Sequence, residues 1–335
     1  MKTTIKVLVC CLLLSACKQQ PDSEENNAAK AQNMSLQGDV FGTFYQVTYD
    51  SEINYQVALD SLFFVINHAM STYIDSSDIS KVNRNEAVKI DAHFKTVFNT
   101  SKTIFNETKG AFDPTIGAVV NAWDFGPEGK IVDLDSLKIN ELMESVGLDK
   151  VSLEGDNLLK PQSTFIDFNA IAKGYGVDVV GEYLESQHID NYLINIGGEL
   201  RARGTNVVSG KVWTVGVENP NFSGTQSINK VLFLKDKAMA TSGTYRKFKL
   251  DADGNRYAHI IDTKTGYPSK TNLLSISVIA ENCMIADAYA TAFKSMGIEN
   301  IKTFLETHPE LKVFLIFEND KKEFETLSLN GFSEN

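Results

Sequence analysis

Two oxygen-bearing side chains, Asp287 and Thr291, are spaced so that they could hold a metal ion together. They lie four residues apart within 284–296, where the apolar spacing predicts a helix, so both project from one helical face. A carboxylate and a hydroxyl placed in this way suit a hard cation such as Mg²⁺, which prefers oxygen ligands. The alternative is an exposed aspartate beside a threonine that bonds only to its own helix, and the pair alone favours that alternative.

A second candidate is the segment 165–176, which reads FIDFNAIAKGYG. An apolar strand end leads through Asp167 into a predicted helix that runs from about Asn169, its predicted N-cap, to about Ser186. The N–H groups at a helix N-terminus, together with Lys173 one turn later, could bind a phosphate group. A capped helix with a surface lysine explains the segment equally well.

A third candidate is His259, which opens the turn-rich segment 259–268, HIIDTKTGYP. Among the five histidines, His259 alone is predicted to lie in a dense polar and aromatic turn, whereas His68 and His93 are predicted on helices. Its imidazole could act as a base or as a phosphate donor. A structural histidine with satisfied hydrogen bonds remains the alternative.

Two weaker segments add polar groups. The run 240–246, ATSGTYR, is predicted to form an anion-binding loop, and the run 110–115, GAFDPT, offers a fixed carboxylate beside apolar surface. The sequence lacks the motifs HExxH, CxxC, GxSxG and GxGxxG and the Walker loop. Zincins, dithiol redox enzymes, α/β-hydrolases and P-loop enzymes are therefore excluded as first choices.

The elements that must position these groups are helices and strands without a strict βαβ order. Amphipathic spacing predicts helices near 59–70, 94–105, 169–186, 284–296 and 301–305. Alternating or apolar runs predict strands near 42–49, 192–196, 212–217, 231–234, 274–279 and 313–317. This mixture predicts an α+β fold rather than a doubly wound parallel sheet.

The composition is that of a globular protein. The chain has 335 residues, of which 43% are hydrophobic and 22% are charged, and its formal net charge is −11. These values exclude disorder over the whole chain. A nucleic-acid-binding surface is not expected, because phosphate contacts require clustered lysine and arginine and no such run is present.

The N-terminus is predicted to be a targeting segment rather than part of the fold. Residues 1–16 have a short basic start and an apolar run that is too short to span a membrane, and they end in Leu-Ser-Ala before Cys17. This arrangement resembles the bacterial lipobox, whose cysteine is lipidated; an ordinary secretory signal with an incidental cysteine is the alternative. Residues 17–33 have almost no bulky apolar side chains and are predicted to form a flexible tether. Residues 34–335 form the predicted catalytic domain, in which Cys283 is the one remaining thiol and is predicted to be buried.

Taken in order, these segments resemble the ApbE family of FAD:protein FMN transferases. The matching stretches cover about residues 40–297 and read FGT, MSTY, GAFDPT with NAWDFGP, IDFNAIAKGYGVD, INIGGELRARG, WTVGVENP, AMATSGTYRKF, HIIDTKTGYP and IADAYATAFKSMG. The resemblance implies a T-fold-like α+β body with mixed or antiparallel sheets and packed helices. It also implies transfer of FMN from FAD to a Thr or Ser hydroxyl of a partner protein, with release of AMP.

The resemblance assigns roles to particular residues. It implies Mg²⁺ ligands at Ala170, through its carbonyl group, and at Asp287 and Thr291. It implies catalytic roles for Lys173, Asp287 and His259. It also implies FAD-binding positions at Phe41, Tyr73, Ala111, Phe112, Asp113, Asp167, Lys173 and His259. Position 41 is often Met in the family, and because both residues are apolar this difference concerns packing rather than chemistry.

Two other functions use the same residues. In an Mg²⁺-dependent FAD pyrophosphatase, water would replace the acceptor hydroxyl, and in a flavin-binding lipoprotein no turnover would occur. The resemblance implies that the acceptors are flavin-carrying subunits of respiratory complexes or related redox proteins. It also fits a lipid-anchored protein on the extracytoplasmic, periplasmic face of the inner membrane.

Overall fold

A computed structural model describes residues 32–221, 225–244, 248–250 and 256–332. The predicted signal peptide, Cys17 and the predicted tether up to residue 31 lie outside the described residues, as do Tyr245 and Arg246. Within the described part of the chain, no helix is both long enough and apolar enough to cross a membrane.

The described helices and strands alternate without a regular pattern along the chain. The helices are α1 (Gln56–Met70), α2 (Asp78–Asn83), α3 (Ala92–Glu107), α4 (Gly117–Ala122), α5 (Ser136–Met143), α6 (Ala172–Ser186), α7 (Cys283–Met296) and α8 (Ile298–Leu305), with a 3₁₀ turn at Leu148–Lys150. The strands are β1 (Met34–Val40), β2 (Thr43–Tyr49), β3 (Ser152–Glu154), β4 (Asn157–Leu159), β5 (Tyr192–Ile196), β6 (Glu199–Arg203), β7 (Thr205–Asn206), β8 (Lys211–Glu218), β9 (Ile228–Leu234), β10 (Lys237–Gly243), β11 (Phe248–Leu250), β12 (Arg256–Ala258), β13 (Leu273–Ala280), β14 (Lys312–Glu318) and β15 (Phe324–Leu329).

The centre of the fold is an eight-stranded sheet in the order β1-β2-β5-β6-β10-β13-β14-β15. Every neighbouring pair in this sheet is antiparallel. Smaller antiparallel sheets are formed by β3-β4, β7-β8-β9 and β11-β12. The predicted α+β class is confirmed, since the helices pack on an antiparallel sheet and no βαβ crossover order appears among the described strands.

The middle strands of the central sheet are covered on both faces. On one face, α6 and α7 pack on β5, β10 and β13, and every residue of β13 is buried. The two helices approach closely at Gly174, where a β-carbon would lie 2.4 Å from the carbonyl oxygen of Cys283. On the opposite face, the β7-β8-β9 sheet contributes Trp213, Val215 and Leu232 to an apolar cluster. The middle strands are therefore buried between two layers, and packed strands of this kind can position a reactive site.

Most of the predicted elements are present, and two predictions are wrong. Asn169 is not an N-cap, because α6 begins only at Ala172 and is preceded by Ile171, whose side chain makes no capping bond. The backbone N–H of Asn169 instead donates to the Asp167 carboxylate at 2.8 Å, which closes a turn ahead of the helix. The anion loop was predicted over 240–246, but residues 240–243 form the end of β10 and are paired with β13. Cys283 is a buried free thiol, as predicted.

A buried lysine on α7 should make stability depend on pH. The Lys294 side chain is 1% exposed, and its ammonium donates to Thr271 Oγ1 at 3.0 Å and to the carbonyl of Leu273. Burial lowers the pKa of Lys294 from its ordinary 10.5 to about 7. Between these two pH values the unfolded chain binds a proton that the folded chain does not, so the free energy of unfolding rises with pH across that window.

We expect Lys294→Met to remove this contribution. Between about pH 7 and about pH 9.5, the free energy of unfolding should rise by roughly 2–3 kcal/mol more in the wild type than in the variant. Urea unfolding at both pH values measures this difference. Lys302→Met on α8 is the matched control, because that lysine is exposed and pairs with Glu299 on the helix surface. Parallel pH profiles for wild type and Lys294→Met would contradict the prediction.

Candidate active site

One cavity of about 1180 Å³ is lined by residues from distant parts of the chain. It brings together all the positions singled out from the sequence within the catalytic body, which are Phe41, Tyr73, Ala111, Phe112, Asp113, Asp167, Ala170, Lys173, His259, Asp287 and Thr291. The fold therefore gathers into one concave surface groups that are up to 250 residues apart in the sequence. Such a convergence of polar groups in a large cavity is typical of a ligand-binding or active site.

The predicted pair on α7 faces this cavity. The Asp287 carboxyl is buried and accepts a hydrogen bond from the Gly174 backbone N–H at 3.0 Å. The Thr291 Oγ1 lies 3.0 Å from Ser242 Oγ on β10, which adds a second hydroxyl. Burial raises the pKa of Asp287 to about 6, although the neighbouring Lys173 cation opposes that shift. A buried carboxylate of this kind gains from a cation placed beside it.

Lys173 lies at the second residue of α6 and forms an ion pair with Glu199. Burial lowers the pKa of Lys173, but the carboxylates of Glu199 and Asp287 outweigh it and raise the pKa above its ordinary value. The lysine is therefore a permanent cation in the cavity. Glu199 is 3% exposed, and its Oε2 has no hydrogen-bond partner in the described structure.

The backbone places Glu199 by a tight turn between β5 and β6. Gly197 and Gly198 form this turn with φ values of 64° and 109°, which side chains other than glycine rarely adopt. The Gly198 N–H donates to Asn195 Oδ1 at 2.9 Å, which fixes the turn. The first residue of β6 is thereby directed at Lys173.

The segments that carry Asp113 and His259 are held against each other. Asp113 accepts hydrogen bonds from the N–H and the Oγ1 of Thr115, at 2.8 and 2.6 Å. Burial raises the pKa of Asp113, and these bonds oppose the shift. Thr263 Oγ1 donates to the Gly110 carbonyl, and the half-buried His259 ring lies 6.2 Å from the Phe125 ring. The loop containing His259 is thus fixed at the cavity wall by contacts outside its own segment.

Two aromatic residues stand at the cavity surface. Phe41 adopts a left-handed φ of 51°, and its ring packs edge-on against Phe63 at 5.7 Å. A β-carbon on Gly176 would lie 2.6 Å from that ring, so the glycine allows Phe41 to approach α6 closely. Tyr73 is 58% exposed and can stack on a flat ligand.

The donor atoms of the cavity suit Mg²⁺ better than they suit a metal ion that is bound only by protein side chains. Among the described residues, no group of three or more His, Cys, Asp or Glu side chains is arranged to hold a metal ion. The cavity offers one buried carboxylate on α7, two hydroxyls and the backbone near Ala170, which are all oxygen donors. Mg²⁺ is usually bound by one or two carboxylates together with substrate phosphates and water, so these residues fit that ion.

Comparison with known proteins agrees with this arrangement. The ApbE family profile matches residues 41–315, which is most of the chain. The chain belongs to the ApbE family. A Vibrio cholerae protein named FAD:protein FMN transferase is 34% identical to it, and the match covers 99% of both chains. A Haemophilus influenzae protein of the same name is also 34% identical, over 90% of this chain and 91% of the relative.

Solved ApbE structures share the fold. The flavin transferase ApbE from Vibrio cholerae superposes with a TM-score of 0.80 at 33% identity, covering 90% of this chain and 98% of the other. The apo form of the Pseudomonas stutzeri flavinyl transferase ApbE gives a TM-score of 0.81 at 28% identity, covering 91% and 96%. The expected ApbE architecture is therefore confirmed.

Sequence reasoning missed two polar residues of this ApbE cavity. Glu199 and Ser242 were not singled out as site residues, although both line the cavity. The available signal for Glu199 was an acidic residue directly after a Gly-Gly pair at the end of a buried strand. Ser242 lay within the run 240–246 that was predicted as an anion loop, but its contact with Thr291 was not predicted, because that contact depends on the pairing of β10 with β13.

Proposed function

We propose that this chain is an FAD:protein FMN transferase that moves FMN from FAD to a Thr or Ser hydroxyl of an acceptor protein. The observation that carries the proposal is the convergence of Lys173, His259 and the Asp287–Thr291 pair on one cavity. The relatives named FAD:protein FMN transferase support it. In the reaction, the acceptor oxygen bonds to the FMN phosphorus, the bond from that phosphorus to the bridging oxygen breaks, and AMP leaves.

The residues of the chain have separate tasks in this reaction. His259 accepts the proton of the attacking hydroxyl, because it is an imidazole in the cavity wall that is held in place by its loop. Lys173 supplies a fixed positive charge for the diphosphate, since its pKa is raised by neighbouring carboxylates. Glu199 orients Lys173 through their ion pair. Positioning and charge stabilisation are the main contributions to phosphoryl-group transfer.

Mg²⁺ is the cation that we assign to Asp287, Thr291 and the carbonyl of Ala170. When bound, it would neutralise negative charge on the diphosphate. Phe41 and Tyr73 offer aromatic faces for the isoalloxazine or adenine rings of FAD. The proposed FAD site is completed by other residues that line the same cavity, which are Ala111, Phe112, Asp113 and Asp167.

An acceptor assay separates transfer from the two alternatives. The chain is incubated with FAD, Mg²⁺ and a candidate acceptor, and the acceptor is then denatured. Flavin fluorescence that stays on the denatured acceptor supports transfer. Free FMN and AMP alone would indicate a pyrophosphatase, and intact FAD that stays bound whether or not Mg²⁺ is present would indicate a flavin-binding protein.

We also propose that the chain is a lipoprotein anchored through Cys17 at the periplasmic face of the inner membrane. The support is the run Leu-Ser-Ala-Cys after a short apolar segment. Acceptors that are flavin-carrying subunits of membrane respiratory or redox complexes would then be within reach of the tether.

Cys17→Ser is expected to separate anchoring from catalysis. The variant should accumulate as a soluble exported form or as an uncleaved precursor, because serine has no thiol to lipidate. The purified catalytic body should keep its transfer rate, since the cavity-lining residues of the described structure all lie after Met34. Membrane fractionation and the transfer assay measure the two effects. A fragment that starts near Met34 and does not fold or turn over would contradict this separation.

A further inference from the structure

The cavity extends beyond the proposed FAD site to the strand β8. Three consecutive residues of that strand, Thr214, Val215 and Gly216, line the cavity. Successive side chains of a strand point to opposite sides, and Val215 is indeed buried in the apolar cluster while Thr214 is exposed. Consecutive residues are expected to line one cavity where the edge of the strand, with its backbone groups, faces it.

That edge of β8 carries no partner strand in the described structure. On one side, β8 pairs with β9 from Trp213 to Glu218. On the other side, β7 pairs only with Lys211 and Val212. From Trp213 to Val217, the described residues therefore leave that edge without a partner strand. In an antiparallel strand, alternate residues direct both their N–H and their C=O to the same side, so this edge offers ladder hydrogen bonds.

A face of the central sheet also lines this cavity. Phe44 on β2 and Leu193 and Asn195 on β5 line the same cavity. The β2–β5 register places them on one face, and Phe44 is 48% exposed. We call the part of the cavity that is lined by the edge of β8 and by this face the β8 groove. The whole cavity has a volume of about 1180 Å³, and the β8 groove lies within it, beyond the residues assigned to FAD.

We propose that the β8 groove binds the acceptor protein, whose Thr- or Ser-bearing segment adds to β8 as an extended strand. This proposal rests on the proposed function, which requires a polypeptide to bring a hydroxyl into this cavity. An extended segment satisfies the free backbone groups of an edge strand, which is the basis of recognition by strand addition. Phe44 and Leu193 provide apolar contacts for alternate side chains of the segment.

The enzyme side is tested with Thr214→Trp, which places a large side chain beside the groove. Val231→Trp is the matched control, because Val231 is exposed on β9 opposite Gly216 and does not line the cavity. With the acceptor protein identified by the transfer assay, at concentrations below its KM, Thr214→Trp should lower the transfer rate by about tenfold or more, which corresponds to about 1.4 kcal/mol. FAD affinity should stay unchanged in both variants, and Val231→Trp should transfer at the wild-type rate.

The acceptor side is tested by single proline substitutions at successive positions beside the modified Thr or Ser. Proline lacks the N–H that a ladder needs, so the loss that proline causes beyond the loss from alanine at the same position should alternate with a period of two residues. Losses without alternation, or equal transfer by Thr214→Trp and Val231→Trp, would overturn the β8 groove while leaving the proposed function intact. Wild-type enzyme that modifies no acceptor would instead overturn the proposed function.

Discussion

Replacement of Asp287 by alanine should abolish metal-dependent flavin transfer while the protein stays folded. Asp287 is the buried carboxylate of the proposed Mg²⁺ site, and its loss removes the anionic ligand that α7 supplies. Loss of that charge should cost several kcal/mol in the reaction, which corresponds to a rate at least about a thousandfold lower. The transfer rate is measured at limiting and at saturating Mg²⁺.

Two further measurements make this result specific. Asp287→Asn keeps an oxygen that can accept the hydrogen bond from Gly174, so it should fold like the wild type and still lose activity. Asp287→Ala leaves that N–H without its partner, which costs about 1–3 kcal/mol of stability but should not unfold the domain. Unchanged activity of either variant at limiting Mg²⁺ would contradict the metal assignment.

Replacement of His259 by alanine should lower the single-turnover transfer rate by roughly 10²–10⁴-fold, the usual contribution of one positioned base. FAD affinity should fall much less, because Lys173 and the metal site still bind the diphosphate. His68→Ala is the matched control, since His68 is exposed near the end of α1 and does not line the cavity. FAD titration and single-turnover kinetics are measured on the same preparations.

The competing role for His259 predicts the opposite pattern. If its imidazole only donates to a phosphate oxygen, His259→Ala should weaken FAD binding and keep most of its turnover at saturating FAD. A variant that turns over normally once it is saturated with FAD would therefore exclude the base assignment. The comparison of the two measurements decides between the roles without reference to any other residue.

Much of the fold is readable from local patterns. The predicted strand at 192–196 matches β5, and the predicted helix at 284–296 begins one residue earlier, at Cys283. Both elements have strong apolar patterns that burial reinforces. The start of α6 was predicted too early. The Asp167 carboxylate accepts a hydrogen bond from the Asn169 N–H, and the helix begins only at Ala172. A local hydrogen bond of this kind competes with helix initiation and leaves little trace in the spacing.

The candidate site was less accessible to local reasoning. Each segment taken alone allowed a structural explanation, and only the family resemblance predicted that the segments form one site. In the structure, their residues line one cavity. The ion pair between Lys173 and Glu199 joins residues 26 positions apart, and the Thr291–Ser242 contact joins residues 49 apart. Long-range pairings such as these are set by sheet register and helix packing rather than by sequence spacing.

The proposed transfer reaction is tested most directly by mass spectrometry of an acceptor protein after incubation with FAD and Mg²⁺, with AMP measured in the same sample. The account predicts an acceptor carrying one FMN on a Thr or Ser side chain and one AMP released for each FMN attached. Release of AMP together with free FMN, with no change in the acceptor mass, would contradict it.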